Sequence, residues 1–380
     1  MLKICFDSFA ERLAVSLPKE FYHILRERLS EKNTRIGAFS KYLASKLPYS
    51  HYYINNCLKP SSQEMIPWVI IREISQYTGM KLTELESKIV QYGLPRCRSP
   101  VINPQFPMVH TPIMDMLIAH VIADGCIVRS QGRVPYVSFR QYNERFMECF
   151  RKQCECVFGK IPSLYTGKDL TKTYLPGAPT QAIFSVSNLS EEDFFSKKAP
   201  MPMYIYDLSR KNQFAFLLAF VFDEGHVDSS NIVIRLKNKN LIQGLNRIAK
   251  NLEYETTITS YQNGMHQLYL RSASLECFYN EYIQLKETYD CIDLGYKEDL
   301  LLDNLTRMRK RRSQAISTKR RILQSLEKKN QKTVNQLAKQ LYFTRQGIRY
   351  NIQTLMKQGK IQRVRTIPGK PPEYVYGLWE

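Results

Sequence analysis

Two carboxylates with matching neighbours stand 100 residues apart in a chain of 380. Residues 117–125 read LIAHVIADG and residues 217–225 read LLAFVFDEG, so each copy is an apolar run that stops on an acid followed by glycine. The runs have helical character, and glycine is the usual residue just past a helix end, where left-handed backbone is needed. Small residues at Ala119 and Ala219 predict that the two helices pack closely side by side. That packing brings Asp124 and Glu224 together at one end. Like charges held so near repel, and a divalent cation between them relieves the repulsion. Oxygen ligands of this kind suit magnesium, which also recruits phosphate oxygens and water. Paired acids, metal and phosphate are the parts of phosphodiester hydrolysis.

The continuation of each copy repeats as well. The strand-like residues 137–140 (VSFR) lead to Asn143, and residues 232–235 (IVIR) lead to Asn238. On these residues the two copies resemble the LAGLIDADG motifs of homing endonucleases, in the single-chain form where both halves share one polypeptide. The resemblance covers about residues 113–300. It implies an α+β fold, a pseudo-symmetric pair of αββαββα units whose motif helices form the interface and whose sheets make a saddle over duplex DNA. It implies Asp124 and Glu224, at the eighth motif position, as the catalytic and metal-binding acids, with Mg2+ or another divalent cation as cofactor. The backbone carbonyls of Ala123 and Asp223 would assist. The sheet residues implied to face DNA are Arg140, Gln141 and Asn143, matched by Arg235, Lys237 and Asn238. The sixth motif position, often acidic in the family, is Ile122 and Phe222 here, which leaves the chemistry to the eighth. Lys237 and Lys239 are the candidate bases of the two sites. His120 and His226 flank the motifs and are expected to be packed or surface rings.

The elements that position these residues come from periodicity. Between residue 113 and about 300, short β runs such as 134–140 (VPYVSFR) and 181–187 (QAIFSVS) lie among amphipathic helices such as 143–158. The expected halves are residues 113–202 and 203–305. Residues 1–95 read as a helical, helix-turn-helix-like domain. In it residues 36–47 and 50–59 are the paired helices, Ser50 is an N-cap, and His51, Tyr52, Asn55 and Asn56 face outward. Residues 96–112 hold four prolines and read as a linker.

Residues 306–380 differ in kind. Residues 306–321 carry eight basic side chains and no acid, and beyond them lie three helical patterns and two alternating strands. Helix, helix, helix, hairpin is the order of a winged helix, a DNA-binding family that residues 319–379 resemble. Thr344 is the expected N-cap of the third helix, with Ile348, Ile352 and Leu355 as its apolar stripe. The exposed face would present Arg345, Gln346, Arg349 and Asn351 to the major groove, and the wing would present Arg363, Arg365 and Lys370 to phosphates.

Composition bounds these readings. With 55 Lys+Arg against 35 Asp+Glu the chain carries +20, which favours a polyanionic partner. Residues 307–380 hold 19 basic residues and three acids, so they account for +16 of that excess. No apolar run reaches the roughly 18 residues of a membrane span, and the start of the chain does not pattern as a signal peptide. Nine cysteines without a C-x-x-C pair read as reduced thiols. The expectation is a monomeric, cytoplasmic, nucleoid-associated protein that binds double-stranded DNA and cuts it at specific sites. A homing enzyme of this kind is either the product of an intron or freestanding. Some bacterial regulators join a LAGLIDADG-like core that no longer cleaves to a helix-turn-helix, so a non-cleaving transcription regulator is the alternative. An RNA-binding intron maturase is a third.

Overall fold

The computed structural model describes residues 3–62, 64–95, 99–129, 134–165, 169, 171–195, 199–228, 230–327, 331–368 and 373–379, with residues 195 and 310–317 described by their backbone alone. The chain forms two compact units, Met1–Leu301 and Leu302–Glu380.

The amino-terminal region of the first unit is mixed rather than all-helical. Helices α1 (Lys19–Glu31), α2 (Ile36–Lys46), α3 (His51–Cys57), α4 (Trp68–Thr78) and α5 (Leu82–Glu86) are joined by short strands. Ser50 caps α3 by accepting from the Tyr53 amide at 3.2 Å, as its position predicts. Strand β1 (Lys3–Ile4) precedes β2 (Ala14–Ser16), β3 (Ile66–Pro67), β4 (Gln91–Gly93), β5 (Val101–Ile102) and β6 (Met108–Val109). A four-stranded sheet runs in the order β3-β2-β4-β5, and β1 pairs antiparallel with β6.

The proline-rich segment 96–112 is therefore not a free linker. It supplies β5 and β6, and its Phe106 is buried against Phe6, with centroids 4.9 Å apart, beside Tyr92. Burial of a large aromatic outweighs the extended preference that four prolines confer.

The two motif copies are the most deeply buried helices of the unit. Helix α6 (Pro112–Ala123) starts at Thr111, whose hydroxyl accepts from the Met114 amide, and α10 (Arg210–Asp223) starts at Ser209, which caps Asn212. Residues 112–121 of α6 and 213–222 of α10 are all buried. The two helices pack along one another, with Ala119 and Ala219 both fully buried.

In the first half, α6 continues into β7 (Gly125–Val128), β8 (Tyr136–Arg140), α7 (Glu144–Phe158), β9 (Lys172–Leu175), α8 (Gly177–Ser187) and α9 (Glu191–Phe195). Its sheet has three strands in the order β7-β8-β9. Residues 181–187, read from their alternation as a strand, belong to helix α8, where Ala178, Ala182 and Ile183 form the buried face. Among the described residues this half is αββαβαα, with one strand where the expected αββαββα has two before its last helix and with the short α9 added at its end.

The second half is complete. Helix α10 leads to β10 (Gly225–Val227), β11 (Ile232–Leu236), α11 (Lys239–Asn251), β12 (Thr256–Ser260), β13 (His266–Leu270) and α12 (Leu275–Thr288), with a four-stranded sheet β10-β11-β13-β12.

Helix α13 (Tyr296–Leu326) carries the chain into the second unit and takes in the basic stretch 306–321. Then come β14 (Lys332–Thr333), α14 (Val334–Leu341), α15 (Arg345–Lys357), β15 (Ile361–Ile367) and β16 (Glu373–Leu378), with sheet order β14-β16-β15. Ile322, Leu326, Leu337, Ile348, Ile352 and Leu355 form the core of this unit. Thr344 caps α15 by accepting from the Gly347 amide at 3.1 Å.

Candidate active site and nucleic-acid interface

Each motif helix ends the same way. Asp124 and Glu224 are the C-cap residues of α6 and α10, and their amides donate to the carbonyls of His120 and Phe220 at 3.0 and 2.9 Å. A Cβ on Gly125 would meet the Val121 carbonyl oxygen at 2.5 Å, and one on Gly225 would meet that of Val221 at 2.3 Å. Neither glycine has positive φ, so the left-handed backbone expected from sequence is corrected. What demands glycine is the turn from helix into strand, which folds the chain back onto its own last carbonyls.

The acids are brought together. Gln141, just past β8, donates through Nε2 to the Asp124 carboxylate and also to Asp223 Oδ1 at 3.2 Å, so both helix ends lie within reach of one side chain. Asp223 is fully buried, and its Oδ2 lies 2.7 Å from His120 Nδ1, itself fully buried. Burial, followed by the charge of Asp223, raises the Asp124 carboxyl to about 7. Burial, followed by the charges of Asp124 and Asp223, raises Glu224 to about 7 as well. Burial also raises Asp223, against the opposing pull of His120, Lys297 and Gln141.

Nothing in the sequence singles out Lys297. Standing in the first turn of α13 and almost wholly buried, it donates through Nζ to the Val221 and Phe222 carbonyls at 3.0 and 2.6 Å. Burial lowers its ammonium to about 8 against the pull of Asp223, Asp124 and Glu224. A cation at the last carbonyls of a helix is favourable on two counts, since it satisfies orphan acceptors and opposes the helix dipole. The candidate bases Lys237 and Lys239 lie exposed before and at the start of α11. His120 is a packed ring, and His226 is exposed on β10.

The strand registers give the correspondence between halves. Gly125 pairs with Phe139, and Gly225 pairs with Ile234. Counting on from these partners, Arg140 corresponds to Arg235 and Asn143 to Asn238. Gln141 corresponds to Leu236, not to Lys237 as matched by residue type. Arg140 and Arg235 are exposed on their sheets, Arg140 lying 3.7 Å from Asp169. Asn143 and Asn238 are the N-cap residues of α7 and α11. Asn143 accepts from the Arg145 amide at 2.9 Å, while Asn238 accepts from Leu241 at 3.2 Å and donates to the Ala199 carbonyl at 3.0 Å. Asn is a favoured N-cap because its oxygen satisfies an orphan amide of the first turn.

In the second unit Arg345, Gln346 and Arg349 lie exposed on α15, along with Tyr350. Asn351 faces inward instead, donating to the Gly347 carbonyl one turn back at 2.8 Å. Arg363 and Arg365 are exposed on β15, Arg363 stacking over the Tyr374 ring at 3.4 Å. Lys370 lies outside the described residues.

Comparison with known proteins places the class of the second unit. A family model described as winged helix-turn-helix DNA-binding matches residues 317–362. The carboxy-terminal unit is thus a winged helix-turn-helix. Among solved structures, I-DmoI in complex with DNA and Mn is 16% identical with a TM-score of 0.35, over 45% of this chain and 95% of that one. The mesophilic variants of the homing endonuclease I-DmoI give 17% and 0.35 over 45% and 94%. Full-length DUF199/WhiA from Thermatoga maritima gives 13% and 0.29, over 65% of this chain and 90% of that one. No curated protein matches the chain. Among the described residues no helix is long and apolar enough to cross a membrane.

Proposed function

We propose that this protein is a site-specific double-stranded DNA endonuclease of the LAGLIDADG homing type, acting by metal-dependent phosphodiester hydrolysis. The observation that carries the reading is the meeting of Asp124 and Glu224 at the ends of two packed helices, each pushed to about 7 by burial and by neighbouring carboxylates. A fold has no stability reason to keep two half-buried acids in mutual repulsion, so their presence points to a role.

A divalent cation fits this donor set. The ligands are hard carboxylate oxygens, whose proton affinity is raised first by burial and then by the charge of neighbouring carboxylates, and a bound cation would relieve both. Among the described residues no three His, Cys, Asp or Glu side chains converge as a self-contained metal cage. Magnesium commonly takes only one or two protein carboxylates and completes its shell with water and substrate phosphate. Asp124 and Glu224 would hold it, with the carbonyls of Ala123 and Asp223 beside them. When bound, the cation supplies Lewis-acid stabilisation of phosphate charge and a more acidic water. The chain's own residues orient the acids: Gln141 fixes Asp124, His120 fixes Asp223, and Lys297 anchors the end of α10. Arg140 and Arg235 offer the exposed cations on the two sheets for the DNA backbone, and α15 with β15 adds a second contact through Arg345, Arg349, Arg363 and Arg365. The protein acts on this reading as a monomer, since one chain holds both acids.

A second reading, a non-cleaving sequence-specific transcription regulator, is favoured by Gln141, whose amide already occupies Asp124 and Asp223. One assay separates the two. The purified protein is incubated with a library of duplex targets and Mg2+, beside Asp124→Asn and Glu224→Gln. Acid-dependent cuts that fall about 100-fold or more in either variant support the enzyme. Selected targets that are bound and remain uncut support the regulator.

A further inference from the structure

The amino-terminal helices leave a cleft that neither motif half uses. It has a volume of about 630 Å³ and is walled by α1, by the loop into α2, and by α3. Arg26, Arg35 and Lys59 line it with Asn33, Thr34 and Asn55, and no acid does. Neither Arg26 nor Arg35 makes an ion pair among the described residues, and Lys59 donates only to Asn56 Oδ1, at 2.9 Å. All three cations are exposed. The sequence around the cleft is one-sided as well, for residues 32–63 hold Lys32, Arg35, Lys41, Lys46 and Lys59 without a single Asp or Glu. That contrasts with the rest of the first 306 residues, which are close to neutral.

We infer that this cleft is a further nucleic-acid contact, an anchor for the phosphate backbone of duplex DNA. Three exposed cations around one acid-free hollow give it a positive field that water and salt screen only in part. They become favourable when phosphate oxygens enter, through charge-assisted hydrogen bonds from the two guanidinium groups and the ammonium. Asn33, Thr34 and Asn55 add uncharged polar groups of the sort that fix register on a backbone without reading sequence. Helix α2 begins at Ile36, on the cleft wall, with no side-chain hydrogen bond capping its start. A duplex is the occupant of choice because a helix pair flanks the cleft in helix-turn-helix order and α3 carries His51 and Tyr52 exposed, Tyr52 at 69%.

The inference rests on the DNA-binding reading above, and the test keeps the two apart. Binding of the full chain to a random-sequence 40-bp duplex is titrated across a salt series. Wild type is compared with Arg26→Gln/Arg35→Gln/Lys59→Gln and with Arg345→Gln/Arg349→Gln, and circular dichroism melting checks that each is folded. Each phosphate contact contributes about 0.9 to the slope of log affinity against log salt. The cleft variant should therefore lose about 2–3 in slope and roughly tenfold or more in affinity, with the winged-helix loss adding to it. An unchanged slope in a folded cleft variant, while the winged-helix variant weakens, overturns the cleft alone. Wild type that fails to bind the duplex overturns both readings. A cleft-dependent slope seen only with single-stranded RNA, or with anionic vesicles, overturns duplex DNA as the occupant.

Discussion

The two motif halves share a backbone plan and differ in what surrounds their acids. In the first half the acid is Asp124 and an amide donor, Gln141, reaches it from the strand end. In the second half the acid is Glu224, and the register places Leu236 where Gln141 stands. Lys297 reverses the bias. It donates to the Val221 and Phe222 carbonyls at the end of α10, and among the described residues no lysine serves Val121 and Ile122 at the end of α6. The backbone is thus alike in the two copies where geometry is demanding, at the glycine that folds strand onto helix. The polar partners are free to diverge, because several donors can compensate one buried carboxylate.

The largest effect tests the shared part. Gly125→Ala and Gly225→Ala each drive a Cβ into a carbonyl oxygen of the preceding helix turn, at 2.5 and 2.3 Å. Each should cost about 3 kcal/mol or more in chemical denaturation, and by similar amounts. A large cost at one glycine and none at the other would break the equivalence of the halves.

A middle effect tests the second helix end. Lys297→Met keeps the buried stem and removes the ammonium, which leaves two carbonyls and three nearby acids without their cation. Stability should fall by about 2–3 kcal/mol at neutral pH. Added Mg2+ should recover part of the loss in melting temperature, through binding to the folded state alone. No recovery at millimolar Mg2+ would argue that the acids do not hold a cation.

The smallest effect sharpens the difference. Gln141→Leu makes the first half resemble the second and should cost about 1–2 kcal/mol, since it strips a donor from the half-buried Asp124 and the buried Asp223 carboxylates. The reciprocal Leu236→Gln offers Glu224 an amide that it lacks. If Leu236→Gln leaves stability within about 0.5 kcal/mol and Gln141→Leu does not, the asymmetry belongs to the site and not to the strand position.

How much of this was legible in the sequence varies by residue. The motif helices, their adjacent acids and the caps at Ser50 and Thr344 come from local pattern, and local pattern is what the structure keeps there. Residues 181–187 mislead because seven residues fit both a two-residue and a helical period, and only the surrounding packing decides. Lys297 was invisible, since it stands more than 70 residues beyond the second motif and no local signal ties a lysine in a helix to a distant carbonyl. The pairing of Gln141 with Leu236 was legible only through register. The flanking matches Arg140–Arg235 and Asn143–Asn238 are in register, and only the middle residue departs, because residue type favours the polar Lys237 over the apolar Leu236. Asn143 and Asn238 stand at equivalent positions, and each caps the helix that follows it.

Strand β1 draws its partner from β6, across the whole amino-terminal region. A ribosome making about 5–20 residues per second must therefore add about a hundred residues before Lys3–Ile4 can be bonded, a wait of roughly 5–20 s. During that interval the β1 edge is open to chaperones and proteases. Co-translational proteolysis should consequently find its most vulnerable nascent chains among those that end before Met108.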